Sequence, residues 1–220
     1  MRLTQIIKSA QEFMLAENIA GWLLYEYHNM NPIFWNIIGN LPNITRPCWF
    51  WIPVSGEPTL LVSYVDKGRF AKIETSVSVF VGRANMISSL AKLIDSEGSI
   101  AMEYSPLGAI PRMSLVDSGT LELVRSLGPK IVSSADLVQY SCQRWDKEQL
   151  NSHIFAAHTL TSIVNDAFRY IREKLDSGIS EYDVAQFIRM SYKKKGMRAS
   201  DGPVVAINCH SSDPHFDPTS

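Results

Sequence analysis

The chain has 220 residues, 45% of them hydrophobic, with 21 Lys plus Arg against 22 Asp plus Glu and a formal net charge of −1. That length suits one or two globular domains, and the even charge excludes a general electrostatic nucleic-acid binder. No run approaches the ~20 apolar residues of a membrane helix, and Arg2, Gln5, Lys8, Gln11 and Glu12 interrupt any signal-peptide core.

Residues 3 to 17 carry one apolar stripe, Ile6, Ile7, Ala10, Phe13 and Met14, which predicts a helix. Asn18 and Gly21 are expected to end it, and Trp22 to Tyr25 reads as a short buried strand. Asn29 to Asn43 mixes Asn, Pro and Gly with large aromatics, so an irregular but packed connection is expected. Cys48 to Val54, a Ser55-Gly56-Glu57-Pro58 turn, and Thr59 to Tyr64 read as a hairpin. Val77 to Val81 is a further strand, Met86 to Ile94 a helix, Ser99 to Met102 a strand, Leu115 to Leu127 a helix, and Ile131-Val132 a last short strand. Mixed strands and helices over this stretch predict an α/β domain with a mixed sheet.

The texture changes near Cys142. Leu150, Ile154, Ala157, Thr161, Val164, Phe168, Ile171 and Leu175 alternate in steps of four and three, the signature of one helix face. Gly178 suits a helix C-terminus; Ser180 and Asp183 suit a capping box, with Ile179 and Val184 as the staple across it. The second helix is expected to run to about Lys195 and to stop at Gly196. The basic run Lys193-Lys194-Lys195 then complements the helix dipole rather than forming a phosphate patch. Val204 to Ile207 reads as a buried strand, followed by a polar turn and Pro214-His215-Phe216. A buried strand needs partners and covered faces. One whole domain and the opening of a second are therefore expected.

Cys48, Cys142 and Cys209 are widely spaced with no C-x-x-C pair, which predicts a reduced, cytoplasmic chain. His215 has two readings from spacing: a donor or proton shuttle at the mouth of a site, or a surface histidine in a Pro-bounded turn, which spacing alone favours. His210, Asp213, His215 and Asp217 contain metal-ligating types. However, His210 and His215 lie five apart, an odd offset that sends them to opposite faces of an extended segment, so a solvated polar turn is expected. His153 and His158 are also five apart, about 500° of helix rotation, and take no site. Glu103 reads as a solvated strand end.

Several segments together resemble the aminopeptidase P and prolidase family, the Xaa-Pro peptidases that share their architecture with creatinase. Residues 1–143, with the Asn-rich aromatic segment, Arg46 and the hairpin Ile52-Pro-Val-Ser-Gly-Glu-Pro-Thr-Leu-Leu-Val62, resemble the creatinase-type N-terminal domain. Residues 144–220 resemble the start of the "pita-bread" metallopeptidase domain, through Arg144, Lys147, Glu148, Gly178-Ile-Ser-Glu181 and the run from Val204 to Phe216. The resemblance implies that His215 contacts substrate and steadies the tetrahedral intermediate. It implies a peptide substrate cut before proline, and two divalent ions (manganese, cobalt or zinc) held by two Asp, one His and two Glu downstream of His215. By that implication the 220 residues alone are inactive and bind no metal tightly, and Asp213 and Asp217 sit too close to His215 to match the first ligand. A homodimer, with no nucleic-acid or membrane partner, is also expected. Two other readings stay open: a metal-free creatinase-like C–N hydrolase with His215 as base, and a non-catalytic oligomerisation module using the aromatic segments around Trp35 and Trp49.

Overall fold

A computed structural model describes residues 2–39, 44–94 and 98–219. The chain divides into two compact units, Met1–Arg144 and Trp145–Ser220.

In the first unit α1 (Arg2–Ala16) leads to β1 (Ile19–Glu26), α2 (Pro32–Ile38), β2 (Cys48–Pro53), β3 (Thr59–Ser63) and β4 (Ser76–Phe80). Then come α3 (Gly82–Leu93), β5 (Ser99–Met102), α4 (Ser118–Ser126), β6 (Lys130–Ser133) and α5 (Ala135–Cys142). The strands form one six-stranded sheet in the order β4-β3-β2-β1-β5-β6. The hairpin β2–β3 is antiparallel, as is β1–β2; β3–β4, β1–β5 and β5–β6 are parallel. The expected mixed sheet is thus present.

Strand alternation sorts the core into two clusters. Trp22, Leu24, Phe50, Ile52, Leu60, Val62 and Ala101 pack with Ile6, Ala10 and Met14 of α1 and Leu137 and Val138 of α5. Leu23, Trp49, Trp51, Leu61, Ile100 and Met102 pack with Met86 and Leu90 of α3 and Leu121 and Val124 of α4. Odd and even positions of each strand therefore serve opposite faces, and helices cover both, which is why these strands read as continuous apolar runs. Gly21 lies inside β1 instead of ending α1: a Cβ there would overlap the Trp51 ring.

The connection after β1 is packed, and its described residues include one short helix, α2. Asn31 caps α2, its Oδ1 accepting from the Ile33 and Phe34 N–H groups at 3.0 and 3.1 Å, with Pro32 in the first turn, where its missing N–H costs nothing. Residues 40–43 of that segment lie outside the described residues. His28 and Asn29 turn the chain with φ of 55° and 61°, a region in which His and Asn are enriched. The buried Glu26 carboxylate holds that turn by accepting from the Met30 and Asn31 N–H groups at 3.0 and 2.8 Å.

Glu103, expected at a solvated strand end, is fully buried. Its Oε1 accepts from Trp22 Nε1 at 2.7 Å and Ser134 Oγ at 3.1 Å, and its Oε2 accepts from Asn31 Nδ2 at 3.0 Å. Burial pushes its carboxyl up to about 7, against the three donors, which favour the ionised form. Burial likewise raises Glu26 above the usual carboxylate range.

The second unit consists of α6 (Lys147–Lys174), α7 (Glu181–Lys194) and a terminal segment. Asp146 with Gln149, and Ser180 with Asp183, form capping boxes at the two helix starts. Gly178 takes the left-handed conformation (φ 75°) where the chain turns toward α7, and Gly196 (φ 70°) follows the end of α7. Ile163 and Ala167 of α6 and Val184 and Ala185 of α7 are buried, and Tyr170 stacks on Phe187 at 4.5 Å. The stripe read from the sequence is a different face: Leu150, Ile154, Val164 and Phe168 are exposed. Two helices cover each other only along their shared seam, so the rest of a wide apolar face stays uncovered.

Val204 to Ile207 is not a buried strand. It joins no ladder among the described residues, and Val204 and Ile207 are 57% and 59% exposed. Ile207 keeps extended dihedrals (φ −128°, ψ 160°), but no neighbouring strand takes up the backbone groups.

Two outcomes are expected. Gly21→Ala should lower the unfolding free energy by about 1–3 kcal/mol, because Trp51 must shift, as measured by urea denaturation. Between 4.5 and about 7 folded Glu103 keeps a proton that the unfolded chain releases. Stability should therefore fall as pH rises through that window and level off above it, by about 3 kcal/mol at most from this group. Glu103→Gln should remove most of that slope in urea titrations at about pH 5 and about pH 8, leaving the same-signed share of Glu26.

Candidate functional site

The terminal segment of the second unit is tied to α7 at two residues, Arg189, which pairs with Asp217, and Glu181, the first of the helix. Glu181 Oε1 accepts the Ile207 N–H at 2.6 Å, and His210 Nδ1 lies 2.8 Å from Oε2 and 3.1 Å from Oε1. The Ile207 hydrogen bond, helped by the His210 contact, holds the Glu181 carboxyl below its usual value against an opposing desolvation. A negative charge in the first turn of a helix is favourable for the same reason that caps are. Beyond His210 the chain curls back: the Asp213 N–H donates to the His210 carbonyl at 3.0 Å and the Phe216 N–H to the Asp213 carbonyl at 3.2 Å. The His210 ring then stacks on Phe216, with centroids 4.3 Å apart and planes 18° from parallel.

His215 sits at the tip of this curl, exposed, in a turn next to Pro214. Its backbone N–H donates to Asp213 Oδ1 at 2.9 Å, while its ring has no hydrogen-bond partner among the described residues. The turn therefore presents an imidazole whose polar atoms remain available to a ligand oxygen. Asp217 is engaged elsewhere, with Arg189 Nη2 at 3.3 Å. Among the described residues no three His, Cys, Asp or Glu side chains converge on a common point. The residues described here do not fit a metal pair.

Arg46, quoted for the resemblance in the first unit, has a structural setting. Its N–H and that of Thr45 donate to the buried Asp66 Oδ2 at 3.1 and 3.2 Å, and Asp66 also pairs with Arg69 at 3.3 Å. Arg144 lies over the Tyr140 ring at 4.7 Å, and Lys147 and Glu148 open α6. Glu181 is the residue that sequence reasoning did not single out for its contacts. Its place after a capping serine was visible; its pairing with His210, 29 residues on, had no local signal.

No protein-family model and no curated protein matches the sequence. Solved structures do. A prolidase from Thermococcus sibiricus aligns with 100% of this chain and 57% of its own, at 17% identity and a TM-score of 0.61. A dipeptidase from Mycobacterium ulcerans aligns over 88% of this chain and 50% of its own, at 14% identity and a TM-score of 0.57. An Xaa-Pro dipeptidase from Bacillus anthracis aligns over 88% and 49%, at 11% identity and a TM-score of 0.50. The chain spans about half the length of these structures. The likeness is one of fold: the chain has the α/β fold of the aligned parts of these three structures.

Proposed function

We propose that the chain is the front part of an Xaa-Pro peptidase, a hydrolase of the peptide bond that precedes proline. The observation that carries this reading is the likeness of the whole chain to a solved prolidase. Residues 1–143 serve as the creatinase-like N-terminal domain and residues 144–220 as the start of the pita-bread domain. The exposed face of α6, with Leu150, Ile154, Val164 and Phe168, is what such a partial layer leaves uncovered.

Hydrolysis adds water across the C–N bond: the carbonyl carbon becomes a carboxylate and the proline nitrogen gains a proton. An Xaa-Pro bond is a tertiary amide without an N–H, so a peptidase that reads that N–H handles it poorly. In this reading His215 donates a hydrogen bond to the oxygen that becomes negative in the tetrahedral intermediate. The free ring at the tip of the Pro214 turn supports that role. Glu181 and His210 act one step back, holding the backbone from Ile207 to Phe216 that carries His215. The two divalent ions of the prolidase-type reaction belong to residues other than these 220. A proline-containing peptide is the substrate, the assembly is a homodimer, and the compartment is the cytoplasm.

The whole gene product, supplied with manganese, cobalt or zinc, should cleave Ala-Pro; intact Ala-Pro under all three metals would end the proposal. His215→Ala should lower its kcat by about 10²–10³, the scale of one lost oxyanion donor. The 220-residue chain alone should not turn Ala-Pro over. Glu181→Ala should speed amide exchange at Ile207 by about tenfold, read by hydrogen exchange, because the side-chain oxygen that accepts that N–H is gone.

A further inference from the structure

The first unit contains a cavity of 570 Å³ that the peptidase reading does not use. That volume lies within the range of small-molecule sites. Tyr25, Tyr27 and Trp49 form aromatic walls, and Tyr25 and Trp49 meet with centroids 4.6 Å apart. Two charges of opposite sign line the same space. Arg83 stands in the first turn of α3, and Asp117 caps α4 by accepting from the Thr120 N–H at 2.9 Å. They form no ion pair with each other, and Arg83 has no ion-pair partner among the described residues.

The geometry points to a binding site for a small zwitterion, an α-amino acid or dipeptide with an apolar side chain. Its carboxylate meets the Arg83 guanidinium, its ammonium meets the Asp117 carboxylate, and its side chain lies against the tyrosine and tryptophan rings. The physical argument is complementarity. A cation and an anion that line one aromatic-walled space without pairing are each solvated singly when the cavity holds water. One molecule carrying both opposite charges and an apolar body satisfies all three features at once. A guanidinium matches a carboxylate in a planar, two-bond geometry, and an ammonium is drawn both to a carboxylate and to aromatic faces. A second contribution comes from Tyr25, whose phenol burial raises above its ordinary value, so it remains a neutral donor beside Thr120. The exposed Met30 and Tyr27 stand at the rim, where an apolar side chain covers them on binding.

The site lies within the first unit and does not depend on the peptidase proposal. The test titrates the protein with L-phenylalanine and with phenylalanyl-glycine, alongside phenethylamine, which lacks the carboxylate, and 3-phenylpropanoate, which lacks the ammonium. Binding is followed by NMR at the Trp49 indole N–H and the Tyr25 ring. At least one zwitterion should bind with Kd below about 1 mM, and each singly charged analogue should bind about tenfold or more weaker. Arg83→Ala should weaken the zwitterion to the level of phenethylamine and leave phenethylamine unchanged. Asp117→Asn keeps a capping side chain while removing the charge, and should weaken the zwitterion to the level of 3-phenylpropanoate. No binding at about 10 mM, equal binding of the charge-deleted analogues, or resonance shifts confined to other residues would each overturn the proposal.

Discussion

The first unit depends on a carboxylate that has no contact with water. Glu103 stands just past β5, in the middle of the three parallel strands β1, β5 and β6. It gathers Trp22 from β1, Asn31 from the turn before α2, and Ser134 from the start of α5. A buried charge is costly unless hydrogen-bonded, and here three donors converge on it. The resulting opposition is visible in its titration, which burial lifts to about 7 while the donors pull it down. Removing any one donor leaves the others facing an under-satisfied carboxylate, so the cluster acts as a unit. Asn31 is the pivot. It caps α2 with its oxygen and reaches Glu103 and the Tyr25 carbonyl with its nitrogen.

That cluster also reaches the cavity, through Asn31. Asn31 and Tyr25 line it, and the turn between them is held by Glu26. Backbone at positive φ in two successive residues, His28 and Asn29, is tolerated because two N–H groups of the following residues end on one carboxylate. The chain from sequence to site therefore runs through buried polar groups more than through apolar contacts. The apolar contacts make the two-faced sheet; the carboxylates decide where its loops go.

The second unit shows the opposite balance. Its two helices share a narrow seam at Ile163, Ala167, Val184 and Ala185, and much apolar surface of α6 is left exposed. Its terminal segment is organised by surface contacts, Glu181 with Ile207 and His210 and Arg189 with Asp217. Surface contacts of this kind are weakened by solvent and salt, so the His215 turn belongs to the less firmly held part of the chain.

Much of the fold was legible in the sequence alone, because its signals are local. Strand runs such as Trp22–Tyr25 and Thr59–Tyr64, the stripe of α1, and the Gly178, Ser180 and Gly196 stops all depend on residues within a few positions of one another. Two short helices escaped, α2 hidden by its Asn-Pro start and α5 by having only 8 residues. His215 was singled out by family resemblance, and the structure adds its exposed turn. Tertiary structure alone decided the burial of Glu103, whose partners Trp22 and Ser134 lie 81 and 31 residues away. It also decided which face of α6 is covered, that Val204–Ile207 pairs with nothing described, and that Glu181 reaches His210. The reason is the same in each case: periodicity reports that a residue has an apolar or polar side, and only the packed neighbours determine what that side meets.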